Sequence, residues 1–280
     1  MRTIHSDIIT QEVKKLCIEA NYHLPCDVRN AICNAIDNEV SPTGKDILFK
    51  IKDNYTIAEE RKMAICQDTG MAVFFVKIGN EIHIEGKTIT DAINDGVKLG
   101  YEEGYLRKSI VKDPLNRVNT GDNTPAVVHY EYTYGDKITI TIAPKGFGSE
   151  NMSAIKMFSP SAGIEGIKKF VIDTVDNAGS NPCPPIVVGV GIGGNFETCA
   201  LLAKKALTRD ISSQHTEPMY AKLEDELLLE INKLGIGPQG FGGVTTALGV
   251  NIETAPTHIA GMPCAVNISC HVTRHKTTTI

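Results

Sequence analysis

Tryptophan is absent and aromatic residues make up only 6% of the 280 positions, whereas glycine occurs 25 times. Such a chain fits a fold with many tight turns and sites lined by backbone. Long apolar runs are also missing. Stretches such as 72–76 and 185–192 fall far short of the ~20 residues that a bilayer requires, which excludes a membrane-spanning helix. Residues 1–10 alternate polar and apolar with no h-region, so no secretory signal is visible and a cytoplasmic location is expected. An excess of positive charge is lacking. The formal net charge is -5, which argues against a general nucleic-acid binder. No C-x-x-C pair exists among the eight cysteines, and local spacing therefore argues against a zinc ribbon or a ferredoxin-type cluster.

What is present is ordinary globular material. Hydrophobic residues are 42% and charged residues 22%, enough apolar content to exclude a mostly disordered chain. The length allows one large domain or two small ones. A chain this long needs no disulfide staples. Its thiols are then packing residues, metal ligands or nucleophiles.

The first third reads as helical. Ser6 is placed to cap a helix with Ile9, Val13, Leu16, Cys17 and Ala20 on one face, and Asp27 a second with Ile32, Ala35 and Ile36 inside. Ser41-Pro42-Thr43-Gly44 reads as a break, followed by an amphipathic run over 45–52 and a short helix over 56–64. From residue 66 the pattern changes. Residues 72–78 and 81–85 predict strands around a turn at Gly79-Asn80, and Thr90 the cap of a helix through Tyr105. Residues 127–134 and 137–142 alternate around Gly135-Asp136 and give the clearest hairpin signal. Helices are predicted over 161–176, 196–207 and 217–234, a buried strand over 186–190, and strand and loop over 257–272. The fold class expected is α/β (mixed α+β), a single domain over 1–280. A helical layer over about 1–65 is followed by mixed lobes over about 66–160 and 161–280.

Several segments carry polar chemistry. Cys66-Gln67-Asp68-Thr69-Gly70 packs a thiol, an acid and a turn glycine into five residues, equally readable as a plain Asp-Thr-Gly turn. Residues 145–151, Lys-Gly-Phe-Gly-Ser-Glu-Asn, follow a strand and read as a binding loop. Asn181-Pro182-Cys183-Pro184-Pro185 fixes a thiol between prolines, as occurs at iron–sulfur sites. Gly189-Val190-Gly191-Ile192-Gly193-Gly194 matches G-x-G-x-x-G between a strand and a helix. No acid ends a strand at the distance a dinucleotide site needs, and a helix N-terminus facing an anion or cluster is the better general reading. Cys264 and Cys270 face the same side of an extended segment. His258 on its own reads more readily as a structural histidine than as a catalytic one. His271, Arg274, His275 and Lys276 form a basic polar tail, a solvated end or subunit contact. Arg107 with Lys108, Lys112 and Arg117 has the alternative of a solvated basic face.

The segments 66–70, 106–111 through Asp113-Pro114, 145–151, 182–194 and 258–270 occur in this order. Together they resemble the iron–sulfur-dependent class I fumarases and L(+)-tartrate dehydratases in their two-subunit form, over nearly the whole chain. The resemblance implies an α subunit that works with a β subunit carrying a smaller swivelling domain, in a hetero-oligomer. It implies a [4Fe–4S] cluster held by Cys66, Cys183 and Cys270, and an oxygen-sensitive enzyme. It implies substrate contacts at Gln67, Arg107 and Gly148, with Gly146 the near alternative to Gly148. Catalytic roles fall on Asp68 and His258. The substrate implied is a four-carbon dicarboxylate, either fumarate hydrated to (S)-malate or L(+)-tartrate dehydrated to oxaloacetate. Two readings from other classes stand beside it: a nucleotide-dependent oxidoreductase using the 189–194 turn, and a non-catalytic subunit that stores or senses a cluster.

Overall fold

Helical spacing of small and branched apolar residues against period-2 strands determines the architecture. The computed structural model describes all 280 residues. In chain order the elements begin with β1 (Arg2–His5), α1 (Ser6–Tyr22), α2 (Cys26–Asn38), α3 (Pro42–Arg61), β2 (Met71–Gly79), β3 (Ile82–Glu85) and α4 (Ile89–Glu103). They continue with β4 (Val127–Thr133), β5 (Ile138–Lys145), α5 (Phe147–Glu150), β6 (Ala154–Phe158) and α6 (Gly163–Ala178). The last are β7 (Ile186–Gly194), α7 (Phe196–Ala206), α8 (Pro218–Lys233), β8 (Ala247–Thr257), β9 (Met262–Ser269) and β10 (Lys276–Thr279). The mixed α/β class expected from the sequence is what the chain adopts, and no helix is long and apolar enough to cross a membrane.

The chain divides into two units, and neither is continuous. The first comprises residues 1–25, 54–147 and 274–280; the second comprises 26–53 and 148–273. Helix α1 belongs to the first unit and α2 to the second.

In the first unit a four-stranded sheet has the order β10-β5-β2-β4. Phe74, Val76, Ile138, Ile140 and Ile142 project from it into a core shared with Ile9, Val13 and Cys17 of α1 and Ile93, Val97 and Tyr101 of α4. Burial of these branched side chains contributes roughly 1.5–3 kcal/mol each. The 127–142 hairpin predicted from the alternation does not form. β2 lies between the two strands, parallel to β4 and antiparallel to β5. The Gly135-Asp136 turn instead closes over the end of β2, where the Gly79 N–H donates to Lys137 O and the Glu81 N–H to Gly135 O. Nor do β2 and β3 form a hairpin, since β3 pairs in parallel with β1. The basic tail is also not a solvated end. Residues 276–279 form β10 against β5, and Arg274 is 5% exposed. Smaller departures concern caps: α1 is capped by His5 and α4 by Thr88, one and two residues before the expected positions. The runs over 45–52 and 56–64, expected as separate pieces, are joined in one helix that starts at Pro42 and ends at Arg61.

In the second unit the sheet order is β6-β9-β7-β8. One face carries Val188, Val190, Val266 and Ile268 against α6 and α8, through Val171, Val175, Leu223 and Leu227. The other face is closed by α7 at very short range. A Cβ on Gly189 would lie 2.1 Å from Ala203 O, and one on Gly191 would lie 2.1 Å from Cys199 O. The G-x-G-x-x-G run is thus the strand itself. Its glycines let a helix backbone approach, which corrects its expected role as a phosphate or anion turn.

The second unit also holds a buried carboxylate. Glu39 is 5% exposed and accepts the N–H groups of Val40, Ser41, Val244 and Thr245 at 3.0 Å each. Burial alone would push this carboxyl up. The N–H groups of Ser41, Val244 and Thr245 and the Thr245 hydroxyl outweigh it and hold the pKa below the ordinary glutamate range. A depressed folded-state value means the stabilisation is full above the unfolded glutamate pKa and is lost as pH falls through the folded one. Glu39→Gln turns an amide NH2 toward these donors and is expected to cost about 1–3 kcal/mol at pH 7. In denaturant titrations at pH 7 and pH 3.5 the gap between wild type and variant should narrow at the lower pH. An equal gap at both would show that the carboxylate charge contributes nothing.

Candidate active site

Of the candidate residues, Cys66, Gln67, Asp68 and Arg107 lie in the first unit, and Gly148, Cys183, His258 and Cys270 in the second. In the first unit the chain leaves α3 and enters β2 through the turn 66–70. The Cys66 thiol is half-buried and donates to Gln67 Oε1 at 3.3 Å, and the Asp68 N–H donates to Cys66 Sγ at 3.4 Å. Asp68 is held by both carboxylate oxygens: Oδ1 accepts the Gly70 N–H at 3.1 Å and Oδ2 the Phe147 N–H at 2.9 Å. Gly70 is in the left-handed region at φ 76 and lies flat against Lys145, where a Cβ would come within 2.7 Å of the backbone. The turn therefore needs glycine.

The turn and the Arg107 segment are tied together. Thr69 Oγ1 donates to Arg107 O at 3.0 Å. Leu106 and Ile110 are buried and Arg107 and Ser109 are exposed, so the two apolar residues anchor the segment and leave the guanidinium outside. Asn123, fully buried, accepts the Ser109 N–H at 2.7 Å and donates to Gly70 O at 3.2 Å. The first unit thus brings Cys66, Gln67, Asp68 and Arg107 into one neighbourhood. Gly146 also stands there, since a Cβ on it would lie 3.1 Å from Asp68 Oδ2.

In the second unit, Cys183 precedes β7 and Cys270 follows β9. These strands are antiparallel with Val187 opposite Ser269, so both cysteines emerge at the same end of the sheet. Cys183 sits at φ 55, a conformation that L residues avoid, and it is exposed. Its carbonyl is 3.0 Å from His271 Nδ1, which also lies 3.2 Å from Gln239 Nε2. Pro184 O accepts both the backbone and the side-chain N–H of Gln239 at 2.8 Å. The Thr273 hydroxyl donates to Cys270 O at 2.8 Å. Gly148 lies in open space, the nearest atom to an added Cβ being Asn181 O at 4.0 Å. His258 is elsewhere. It is exposed at the turn before β9, its Nδ1 accepting the Ala260 N–H at 3.1 Å. Cys270 follows the far end of that eight-residue strand, about 25 Å away at a strand's rise per residue.

Burial and local structure separate the eight thiols, of which Cys26 and Cys33 lie on α2. Cys17, Cys199 and Cys264 are buried in apolar packing, and burial pushes the Cys264 thiol up to about 12, with the neighbouring Cys199 adding to it. Such thiols stay protonated and do not ligate metals. Cys66, Cys183 and Cys270 lie on non-helical segments and are reachable by solvent. No three His, Cys, Asp or Glu side chains converge as a single ion would require. In an iron–sulfur cluster each cysteine thiolate binds its own iron, and an N–H donating to sulfur, as to Cys66 here, is a contact that tunes cluster thiolates. The donor set fits a cluster.

Sequence reasoning missed the side chains that hold the 66–70 turn from below: Tyr101, Asn123 and Arg274. Tyr101 was legible only as an apolar-face residue, and Arg274 only as part of a basic tail.

The first unit thus sets a thiol and a carboxylate on a glycine-closed turn beside an exposed arginine. A sequence model of the fumarate hydratase (Fumerase) family matches residues 10–279, and the chain belongs to that family. It is 47% identical over 272 residues to a protein of Methanocaldococcus jannaschii, covering 95% of each chain. That protein's name gives L(+)-tartrate dehydratase subunit alpha as a provisional assignment. It is 35% identical over 273 residues to the L(+)-tartrate dehydratase subunit alpha of Escherichia coli strain UTI89, covering 96% of this chain and 89% of the other. The K12 strain's subunit of the same name is 34% identical over the same span.

Proposed function

We propose that the chain is the α subunit of a cytoplasmic, oxygen-sensitive [4Fe–4S] hydro-lyase. It interconverts fumarate and (S)-malate in a hetero-oligomer with a β subunit. The cluster is held by Cys66, Cys183 and Cys270. The observation that supports this most directly is the donor set: three solvent-reachable thiols on non-helical segments, two of them brought to one end of β7 and β9 from positions 87 residues apart. When bound, a cluster with three protein thiolates supplies a Lewis-acidic iron for the oxygen atoms of a 2-hydroxy acid.

The chain's own residues do the rest. Arg107, exposed and backed by Leu106 and Ile110, clamps a substrate carboxylate through its planar fork. Gln67 offers an amide beside it. The Asp68 carboxylate is oriented by two N–H donors, which leaves further lone pairs to accept a proton or orient the group that does. The backbone of Gly148 is open to a ligand, and Gly146 keeps the chain close to Asp68. His258, to which the resemblance gives a catalytic role, stands at the far end of β9 from Cys270. The remaining cations and the second proton-transfer group come from the β subunit, and the isolated chain is expected to be inactive.

A second reading has a specific observation in its favour: the relatives at 47% and 35% identity carry names for L(+)-tartrate dehydration. (S)-malate and L(+)-tartrate share the carboxylates that Arg107 would bind and differ by one hydroxyl. The test is anaerobic purification with the β subunit, iron and sulfide analysis, and turnover of fumarate, (S)-malate and L(+)-tartrate. About four irons and four sulfides with turnover of one substrate pair are expected. A preparation that resists reconstitution and turns over none would sink the proposal. In the active enzyme, Arg107→Ala should keep its iron and lose about 10²-fold in kcat/KM, the worth of a charged hydrogen-bonded clamp. Near-normal kinetics would remove Arg107 from the site.

A further inference from the structure

The turn 66–70 presents three consecutive carbonyls to the interior, and each is held by a different buried side chain or pair. The Tyr101 hydroxyl, fully buried, lies 2.9 Å from Thr69 O and 3.1 Å from Gly70 O. Asn123 Nδ2 donates to Gly70 O. Arg274 Nη2 donates to Asp68 O at 2.6 Å. The first two are neutral groups that suit a buried site. Arg274 does not suit it: at 5% exposure it carries a full charge, and its Nε is buried with no partner. A guanidinium buried with an unsatisfied donor is unfavourable for folding, so packing does not account for it. What it does is fix one peptide. The residue whose carbonyl it holds is the one whose N–H donates to Cys66 Sγ and whose carboxylate is aimed by Gly70 and Phe147.

We propose that Arg274 is a positioning residue of this enzyme. Through the Asp68 carbonyl it fixes the residue whose N–H reaches the Cys66 sulfur and whose carboxylate is held by Gly70 and Phe147. A charged donor makes a stronger and more strongly oriented bond than a neutral one. The planar fork holds its direction with less freedom than a lysine amine would. The role rests on the hydro-lyase reading for its catalytic consequence and on geometry alone for its effect on the turn.

The experiment compares wild type, Arg274→Met and Arg274→Lys as full chains, with folding checked by circular dichroism. In the metal-free chain, amide hydrogen exchange is followed for the 66–70 turn, with β7 as the internal reference. The Met variant is expected to lose about tenfold protection in the turn, the scale of one charged hydrogen bond, with β7 unchanged. The Lys variant should fall between the two. In the iron-loaded enzyme with its β subunit, kcat should fall about tenfold or more while KM stays within about twofold, with partial rescue by Lys. Unchanged exchange in the turn overturns the proposal, as does a raised KM at constant kcat, which would make Arg274 a substrate ligand. If Arg274→Met does not fold, exchange in Arg274→Lys decides alone: turn protection equal to wild type overturns the role. A wild-type enzyme that takes up no iron while the turn still loosens in the variants would refute the hydro-lyase reading and leave the fixing of the turn standing.

Discussion

Cys183→Ala is expected to give a folded chain that retains no stable cluster and shows no detectable turnover with its β subunit, with Cys66→Ala and Cys270→Ala behaving alike. The thiolate is the ligand form, and these three thiols are the ones outside apolar packing that lie on the matched turns. Cys183 is the informative member. It sits at φ 55 between Pro182 and Pro184, with its carbonyl held by His271, in a conformation that L residues avoid. Alanine is no better suited to that φ than cysteine, so the substitution removes the sulfur without relieving the backbone. The comparison is Cys264→Ala. Cys264 is fully buried, its thiol pushed up to about 12, and it packs in the core of the second unit. Its loss should cost about 1 kcal/mol as a small cavity and leave iron content at wild-type level. Iron and sulfide analysis with a thermal melt on the four variants checks this. Equal iron loss in Cys264→Ala, or full iron in Cys183→Ala, would break the assignment of ligands.

The helices and most strands were legible because their signals are local. Ile9, Val13, Leu16 and Cys17 mark the buried face of α1 at helical spacing, and they are buried as expected. Strand neighbours were not legible. Residues 127–134 and 137–142 have the alternation and turn of a hairpin, yet period 2 says only which side chains share a face. Which strand lies alongside depends on β2, over 50 residues earlier, whose wholly apolar run at 72–76 supplies the more buried centre. The tail failed in the same way. Lys276-Thr277-Thr278-Thr279 is polar and reads as solvated, and it forms a strand because Thr277 and Thr279 pair their hydroxyls with Thr141 and Thr139 of β5. At the site, the residues that lie near one another in sequence, Cys66 to Gly70, could be read directly. Arg274 could not, because nothing within four residues of it signals a partner at position 68.

Gly191→Ala is expected to be among the most destabilising single-methyl changes in the chain, and it separates two meanings of the same motif. In a phosphate-binding turn the middle glycine leaves room for a ligand, and alanine there weakens ligand binding while the protein stays folded. In this structure the residue is inside β7, and the space belongs to α7. The added Cβ would lie 2.1 Å from Cys199 O and 2.5 Å from Ala203 N, both backbone atoms that cannot rotate away. Either α7 lifts from the sheet, exposing Cys199, Ala203 and Ala265, or β7 distorts beside its partners β8 and β9. Overpacking of a tight core commonly costs 1–3 kcal/mol, and a clash with helix backbone belongs at or above the top of that range, about 3 kcal/mol. For a chain of this size that is a fall in Tm of about 5 °C. Gly148→Ala makes the contrast: its added methyl meets nothing closer than 4.0 Å, so stability should stay within about 0.5 kcal/mol while turnover falls if substrate meets that backbone. A melt of Gly191→Ala that matches wild type, together with measurable NAD(H) binding to the wild-type chain, would return the glycine run to the nucleotide reading. A large fall in Tm with no nucleotide bound assigns it to the packing of α7 on β7, the contact that holds the strand leading out of the Cys183 loop.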